Sequence, residues 1–417
     1  MAAENSEGRT FYDYIVIGCG GIGSGALYWL SKRAKEGVLG LEQFKLGHDN
    51  GGSQDHSRII RLTYHDPMYT KLTPHTYTCW EEVEKESGLR VLYKTGSLQV
   101  ARKGEMDDLI KKYADSMKKE NIDYEWLTGS QLRQRFPQFT TDDRYIALYQ
   151  KDGGLVDAAL CNAVHTQLAR GNGATIIENC PVTRLEKDQQ GNICVHTTKG
   201  KFYCRKVIVT SGAWINNVLS STGVHVPVYV TQEQVTYHAT PHMKDFTKDK
   251  YPIWFFHDPK YDFYMMPINN NSGPKIGIDA AGPVVTAHTR TFEPDPVREK
   301  ACEELYKELV PKALGPKLYT KTCLYDITPD RNFVVDTCDK YGWKNLIVCC
   351  GAGHAFKFAS LLGKILSEMA IDGQTQYDIS HFNIDRKALT DPNYEPIFYY
   401  GTDKKAFDKT KHQKAKL

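Results

Sequence analysis

The sequence lacks the features of several protein classes. It has no apolar run approaching the ~20 residues that a helix needs to cross a bilayer, and its first ten residues are polar, unlike a secretory signal. Its formal net charge of only +3 gives no reason to expect a nucleic-acid or membrane partner. Its 11 cysteines are scattered and include no C-x-x-C pair. We therefore expect a reducing compartment, with neither a disulfide framework nor a metal site.

The composition is that of an ordinary folded enzyme or binding protein. Hydrophobic residues make up 41% of the chain and charged residues 25%, which are usual values for a globular protein. With 417 residues the chain is longer than a single compact core usually holds. Two domains are therefore expected.

A nucleotide-binding fingerprint lies near the amino terminus. The apolar run Tyr14–Ile17 predicts a buried parallel strand. Gly18, Gly20 and Gly23 follow as G-x-G-x-x-G, in which the glycines permit the tight turn, the approach of a pyrophosphate and the close packing of a helix. The stretch Ser24–Lys35 predicts that helix.

An acidic residue completes the fingerprint. Val38–Leu41 predicts the second strand, and Glu42 stands at its carboxyl end, where a carboxylate can bind both hydroxyls of an adenosine ribose. The acid disfavours a 2′-phosphate and hence NADP. The alternative interpretation is a glycine-rich turn in some other α/β protein, and the motif alone does not separate NAD from FAD.

A second strand–turn–helix pattern lies near the carboxyl end. Leu346–Cys350 predicts a buried strand, a glycine turn follows, and a helix is expected from Ala359 to Ile371. The amino terminus of a helix carries partial positive charge and free N–H groups, so it could stabilise an anionic reduced flavin ring. One turn for the pyrophosphate and one for the ring favour FAD over NAD.

The patterns between these turns predict two intermixed domains. Pieces of parallel sheet fall in residues 1–90, 150–225 and 322–395, and we assign them to a discontinuous cofactor domain. Residues 91–149 and 226–321 predict a substrate domain, since alternating stretches such as Gln234–His238 are typical of antiparallel sheet. Residues 396–417 form a basic tail. A helix is expected over Thr73–Ser87.

Three further motifs carry a resemblance that covers nearly the whole chain. They are Gly52–Arg61, Thr322–Asp330 and Gly353–Phe358. With these motifs the sequence resembles the monomeric sarcosine oxidase, pipecolate oxidase and N-methyltryptophan oxidase family of flavoenzymes. The resemblance implies an α/β, or α+β, two-domain fold: a Rossmann-like FAD-binding domain of the D-amino-acid-oxidase type and a substrate domain with a mixed or antiparallel sheet.

The resemblance also implies how FAD is held. The family links the flavin covalently to a cysteine, which matches Cys323 here, although an ordinary buried cysteine is the usual alternative. Arg58 matches a residue that lies close to the flavin. The full set expected to bind the cofactor is Gly18, Gly20, Gly23, Glu42, Ser53, Arg58, Val182, Gly212, Cys323, Gly353, His354 and Lys357.

The implied substrates are secondary or N-methyl amino acids, whose hydride passes to flavin N5 and whose imine product is hydrolysed. The family's arginine and lysine carboxylate clamp matches Arg61 and Lys357. Tyr264 and Tyr325 match the aromatic residues of the pocket. Lys275 matches the lysine that activates oxygen, because a fixed ammonium stabilises superoxide; the alternative is a solvated strand lysine.

Two positions depart from the family pattern. Gln54 stands where the family often has a histidine, and Asp279 stands where a substrate-side histidine is expected. Asp279 follows Lys275 by four positions, so in a strand both side chains share a face and could pair. The other interpretation, which we favour, is that Asp279 recognises a polar or cationic group of the substrate.

Arg58 and Arg61, three positions apart, would share a face if they were helical, and would otherwise be two solvated arginines. The final tripeptide Ala415–Leu417 is similar to the Ser-Lys-Leu peroxisomal address, so we expect binding to the peroxisomal import receptor and a peroxisomal location. The alternative is a solvated basic tail that ends in this tripeptide by chance.

We thus expect an FAD-dependent oxidase of secondary or N-substituted amino acids that reduces O2 to H2O2. The alternatives are a flavin dehydrogenase of the same fold that passes electrons to a carrier, a non-catalytic flavin-binding protein, and an NAD-dependent dehydrogenase. Lys275 argues against the flavin dehydrogenase, and the pair Arg61 and Lys357 argues against a protein without turnover.

Overall fold

The computed structural model of the protein describes residues 8–270 and 272–397. The expected address Ala415–Leu417 and the tail from residue 398 onward lie outside the described residues. Within the described ranges, no helix is both long enough and apolar enough to cross a bilayer.

The described residues form both α-helices and β-strands. The α-helices are α1 (Gly21–Ala34), α2 (Pro67–Ser87), α3 (Asp107–Lys119), α4 (Gly129–Arg135), α5 (Ala158–Gly171), α6 (Ile215–Leu219), α7 (Pro296–Leu309), α8 (Ala359–Asp372) and α9 (Lys387–Thr390). The β-strands are β1 (Phe11–Ile17), β2 (Val38–Leu41), β3 (Arg58–Ile60), β4 (Leu92–Lys94), β5 (Ser97–Arg102), β6 (Glu125–Thr128), β7 (Tyr145–Gln150), β8 (Gly154–Val156), β9 (Thr175–Ile177), β10 (Val182–Lys187), β11 (Ile193–Thr197), β12 (Gly200–Val209), β13 (Tyr229–His238), β14 (Ile253–His257), β15 (Asp262–Met266), β16 (Lys275–Ile278), β17 (Val284–Val285), β18 (Lys317–Ile327), β19 (Val334–Cys338) and β20 (Trp343–Cys350).

The first sheet is built around the fingerprint strand β1. Strands β20, β12, β1, β2 and β9 run parallel in that order, and the β10–β11 hairpin and β19 add antiparallel pairs. Helices α1, α5 and α8 pack together beside it. Val16 faces the core under these helices, while Ile15 and Ile17 face the core on the opposite side. Burial of both faces explains why β1 reads as a continuous apolar run.

The second sheet is mixed. Its order is β17-β13-β16-β15-β14-β5-β7-β6, with β18 also paired to β13. Among the strand pairs that the structure describes in this sheet, only β14–β5 is parallel. Helix α7 buries Leu305, Tyr306 and Leu309 in the same apolar cluster as Trp254 and Ile276 of the sheet. A small antiparallel sheet, β3-β8-β4, is the third.

These two large sheets confirm the expected fold class. Strand β18 pairs with β13 along its whole length, so the second sheet extends past the boundary predicted at residue 322. The division of the chain into domains otherwise stays a prediction.

Helix α2 begins six residues before the predicted start at Thr73. The Asp66 side chain caps it by accepting from the Met68 N–H at 2.9 Å, and Pro67 occupies its first turn. Pro74 lies inside the helix. The cap that starts the helix therefore lies upstream of the predicted boundary.

Candidate active site

One cavity of about 910 Å³ lies between the two large sheets. It brings together all but one of the predicted site residues, which are far apart in sequence. Those that line it are Gly18, Gly20, Glu42, Ser53, Arg58, Arg61, Val182, Gly212, Tyr264, Lys275, Asp279, Cys323, Tyr325, Gly353, His354 and Lys357.

Gly23 is the exception, because it packs beneath the turn. A Cβ at Gly23 would lie 1.8 Å from the carbonyl oxygen of Gly18, and Gly18 itself has a φ of +88°. Helix α1 starts at Gly21 without a side-chain cap. The Gly21 N–H donates to Ser53 Oγ at 2.9 Å. The amino terminus of α1, which has no side-chain cap, therefore lies at the cavity, as a pyrophosphate site requires.

Glu42 is held as an ionised carboxylate at the same end of the cavity. Burial opposes ionisation, but hydrogen bonds from His48 and from the backbone N–H groups of Cys19 and Phe44 hold the pKa of Glu42 below its ordinary value. The Cys19 and Phe44 donors lie 2.8 and 3.0 Å from the carboxylate oxygens. A carboxylate has acceptor capacity beyond these bonds, so Glu42 fits a ribose.

Asp326, an acid that was not predicted from the sequence, binds the backbone of the second glycine turn, Gly351–Gly353. Asp326, from the end of β18, accepts from the N–H groups of Gly351 and Gly353 at 3.2 and 3.3 Å. Burial raises the pKa of Asp326. A short 3₁₀ turn, Phe356–Phe358, then leads into α8. The expected strand–turn–helix arrangement is present and lines the cavity.

Arg61 lies just after β3 and points among aromatic rings. Its guanidinium carbon is 4.1 Å from the ring centre of Phe255 and 4.7 Å from that of Tyr64. Its Nε and Nη1 atoms are buried and find no hydrogen-bond acceptor among the described residues. Buried guanidinium donors are normally paired, so this arginine is arranged for an anionic ligand.

Lys357 lies close to the same position. Its Nζ donates to the carbonyl oxygen of His354 at 2.8 Å, and the indole of Trp80 donates to the Lys357 carbonyl at 2.8 Å. Burial first, and the nearby Arg61 second, lower the pKa of Lys357 well below its ordinary value. The two cations thus repel each other unless an anion lies between them.

Lys275 is buried and paired, so the alternative of a solvated strand lysine is wrong. Its Nζ lies 2.5 Å from Asp55 Oδ2 and donates to the Ser57 carbonyl at 2.8 Å. Burial lowers the pKa of Lys275 to about 8, and Asp55 opposes this shift. Asp55 is the second acid that sequence reasoning missed, although it stands inside the motif Gly52–Arg61.

Arg58 binds the same acid. Its Nη1 lies 2.9 Å from Asp55 Oδ2, and its Nη2 donates to the Gly52 carbonyl at 2.9 Å. Since Arg58 begins β3 and Arg61 follows its end, the two arginines do not share a helical face and neither is solvated. Both interpretations drawn from their spacing are therefore wrong.

Cys323 lies in β18 at the cavity wall. Burial raises the pKa of its thiol to about 11, and Arg58 opposes the shift. Tyr264 in β15 and Tyr325 in β18 line the cavity beside it. Burial raises the pKa of both phenols well above the ordinary value, so they act as neutral groups.

Asp279 does not pair with Lys275, which corrects the structural interpretation of this residue. It follows β16 directly and forms an ion pair with Arg331, whose Nη1 and Nη2 lie 3.1 and 3.4 Å from its two oxygens. Arg331 adopts a left-handed φ of 58° and was not singled out in the sequence. Asp279 lines the cavity as a partnered acid, so the premise of an unpaired carboxylate is also wrong.

A comparison with protein families places this cavity in context. The model of the family described as FAD dependent oxidoreductase matches residues 13–369. The chain belongs to this family of FAD-dependent oxidoreductases. It is therefore a flavoenzyme, and the predicted cofactor FAD is confirmed, which excludes the NAD-dependent alternative.

Two curated relatives match over nearly their whole length. Monomeric sarcosine oxidase of Arthrobacter sp. (strain TE1826) is 31% identical over 382 residues, which cover 91% of this chain and 97% of the relative. N-methyl-L-tryptophan oxidase of Escherichia coli O9:H4 (strain HS) is 28% identical over 381 residues, with 90% and 99% covered. The resemblance drawn from the motifs is thus confirmed.

Solved structures share the fold. NikD, described as an unusual amino acid oxidase essential for nikkomycin biosynthesis, superposes with a TM-score of 0.78 at 28% identity, covering 89% of this chain and 97% of that one. L-proline dehydrogenase from P. horikoshii superposes equally well, with a TM-score of 0.78, at 19% identity and with 90% and 97% covered. At that identity only the fold is shared.

Proposed function

We propose that the protein is an FAD-dependent oxidase of secondary or N-substituted amino acids that reduces O2 to H2O2. Relatives named for sarcosine and N-methyl-L-tryptophan support the substrate class. The single observation that carries the proposal is the buried pair Arg61 and Lys357, because it offers unpaired donors and positive charge to a carboxylate inside the flavin cavity.

The residues present fit FAD. The open amino terminus of α1 with Ser53 suits the pyrophosphate, Glu42 suits the ribose, and the Gly351–Gly353 turn lies across the same cavity. When bound, the flavin would supply a two-electron acceptor: it would take a hydride equivalent from the C–H bond next to the substrate nitrogen, leaving a C=N bond, and would pass the two electrons to oxygen. Cys323 is the proposed covalent attachment point, since its thiol lies in the cavity wall and Arg58 opposes the rise in its pKa that burial causes.

The chain's own residues orient the substrate. Arg61 and Lys357 fix its carboxylate, and the neutral phenols of Tyr264 and Tyr325 bound the space beside it. A fixed carboxylate holds the amine in one orientation, which is the main contribution such a site makes before any bond changes. The imine product then hydrolyses in water.

Lys275 supports oxygen as the electron acceptor. A buried ammonium in the cavity wall stabilises the negative charge that O2 gains as it is reduced. A flavin dehydrogenase, the alternative function, has no comparable use for this cation.

We also propose a peroxisomal location, which the tripeptide Ala415–Leu417 supports.

A peroxide-coupled screen of N-alkyl and cyclic amino acids tests the function, with an artificial electron acceptor run in parallel under nitrogen. An oxidase should give one peroxide per imine formed; substrate oxidation with the artificial acceptor alone would indicate a dehydrogenase. Lys275→Met should slow reoxidation of the reduced enzyme by O2 by about 10²-fold or more, while anaerobic reduction by substrate changes much less. Equal loss in both half-reactions would remove the oxygen role.

A further inference from the structure

Asp55 is the centre of a buried charge cluster in the cavity wall. Its side chain is only 2% exposed, and that of Lys275 is 1% exposed. One carboxylate oxygen, Oδ2, accepts from Lys275 and from Arg58, and the other, Oδ1, accepts from the Tyr237 hydroxyl at 2.6 Å. Three side-chain donors, from β3, β13 and β16, thus converge on one acid, and the His56 N–H also donates to Oδ1 at 2.8 Å.

The cluster contains more positive than negative charges. Lys275 and Arg58 each carry one positive charge, and Asp55 carries one negative charge. The attraction of Lys275 and Arg58 outweighs burial and holds the pKa of Asp55 below its ordinary value, so the acid is ionised. One positive charge therefore remains in the cavity wall after pairing. Asp55 can fix Lys275 in place without cancelling the field of the whole cluster.

Without Asp55 the ammonium would lose the contact that favours it most. The groups that face Lys275 are Asp55, Arg58, Cys323 and, through its ring at 5.8 Å, Tyr237. Burial and Arg58 both favour the neutral amine, whereas Asp55 favours the ammonium most strongly. The Ser57 carbonyl would remain as an acceptor, but a carbonyl does not distinguish an ammonium from an amine as strongly as a carboxylate does.

We propose that Asp55 is a positioning residue, which holds Lys275 protonated and in one place in the wall of the flavin cavity. This inference rests on the proposed oxygen-reducing function of Lys275. Asp55 itself acts through Lys275, and its effect on catalysis should vanish when the lysine is absent. The Tyr237 hydroxyl supports the acid from the opposite side.

The experiment is a double-mutant cycle on the flavin-loaded enzyme. Asp55→Asn, which is nearly isosteric, is made in the native background and in the Lys275→Met background, and reoxidation by O2 is followed by stopped-flow absorbance between pH 6 and pH 10. In the native background Asp55→Asn should slow reoxidation at pH 8 by about tenfold or more. In the Lys275→Met background it should have little further effect.

The pH profile separates positioning from general damage. Reoxidation depends on protonated Lys275, so its rate falls as pH rises through the pKa of the lysine. Loss of Asp55 lowers that pKa, so Asp55→Asn should move the fall to lower pH and recover toward the native rate at pH 6. Tyr237→Phe, which removes only one donor to Asp55, should be a milder variant because the Lys275–Asp55 contact stays in place.

Thermal unfolding supplies a measurement that does not depend on activity. Asp55→Asn should lower the unfolding midpoint more in the native background than in the Lys275→Met background, because it leaves a buried ammonium without its partner. Asp330→Asn is the matched control. Asp330 is a buried acid paired with Arg386 at 2.7 Å and does not line the cavity, so this variant should lose stability while its reoxidation profile stays native.

The outcomes are distinguishable. If Lys275→Met leaves reoxidation unchanged, the oxygen role falls and this inference falls with it. If Lys275→Met slows reoxidation but Asp55→Asn does not, or slows it equally in both backgrounds and at all pH values, only the positioning role of Asp55 is overturned. Coupled losses in reoxidation and in unfolding midpoint, with rescue at low pH, would support it.

Discussion

Replacing either cation of the proposed carboxylate clamp, Arg61 or Lys357, should strongly weaken the binding of carboxylate ligands. The guanidinium of Arg61 is buried among the rings of Phe255 and Tyr64 and its Nε and Nη1 atoms have no acceptor among the described residues. Truncating one partner of a buried charge pair costs roughly 2–5 kcal/mol. Arg61→Ala should therefore raise the dissociation constant by about 30-fold to about 5,000-fold, and Lys357→Met should act in the same direction.

Lys357 adds a pH dependence whose sign follows from its surroundings. In the free protein, burial and Arg61 lower the pKa of Lys357 well below its ordinary value. A bound carboxylate favours the ammonium and raises that pKa. Binding should therefore take up a proton at pH values between the two, and affinity should fall as pH rises across that interval. Below the pKa of the free protein the affinity should be independent of this group.

The measurement is titration of the flavin-loaded enzyme with tetrahydrofuran-2-carboxylate, a cyclic acid with oxygen in place of the oxidisable nitrogen. Flavin absorbance gives the dissociation constant, and calorimetry in buffers of different ionisation enthalpy gives the protons taken up. Lys364→Met is the matched control, since Lys364 lies on α8 over the Trp29 ring and does not line the cavity. The proposed clamp would be refuted if the dissociation constant stayed the same in both clamp variants. The assigned role of Lys357 would be refuted if proton uptake persisted in Lys357→Met.

Three further predictions address the cofactor, the pocket and the address. Acid precipitation should leave the flavin on the native protein, and Cys323→Ser should release it; native flavin that washes out freely would contradict a covalent bond. Asp279→Asn should raise kcat/KM for N-substituted amino acids with an acidic side chain relative to that for sarcosine, because the cavity wall loses a negative charge; a parallel change on both substrates would indicate that the Asp279–Arg331 pair has only a structural role. Deletion of Ala415–Leu417 should move the full-length protein from peroxisomes to the cytosol, as imaging of a tagged chain would show, and unchanged localisation would reduce the tripeptide to a chance ending.

Local patterns predicted the parts of the site that local backbone builds. The glycine fingerprint and the second glycine turn both depend on residues a few positions apart, and the structure contains each of them. The start of α2 was predicted six residues too late, although the Asp66 cap that begins the helix is also a local signal. Such errors are limited to the ends of elements.

The partners of the charged groups depend instead on which strands the sheet brings together. Lys275 and Asp279 are near neighbours along the chain, and their spacing suggested a pair; yet Lys275 binds Asp55, 220 positions away, and Asp279 binds Arg331. Both pairs join the region of β16 to distant parts of the chain: Lys275 to the segment just before β3, and Asp279 to the segment between β18 and β19. A buried charge is normally paired, but the sequence alone does not show which distant segment contributes the partner. Because Asp55 and Asp279 are paired elsewhere, Arg61 and Lys357 are the cavity cations without a carboxylate partner among the described residues, which supports the proposal that these two residues bind the substrate's carboxylate.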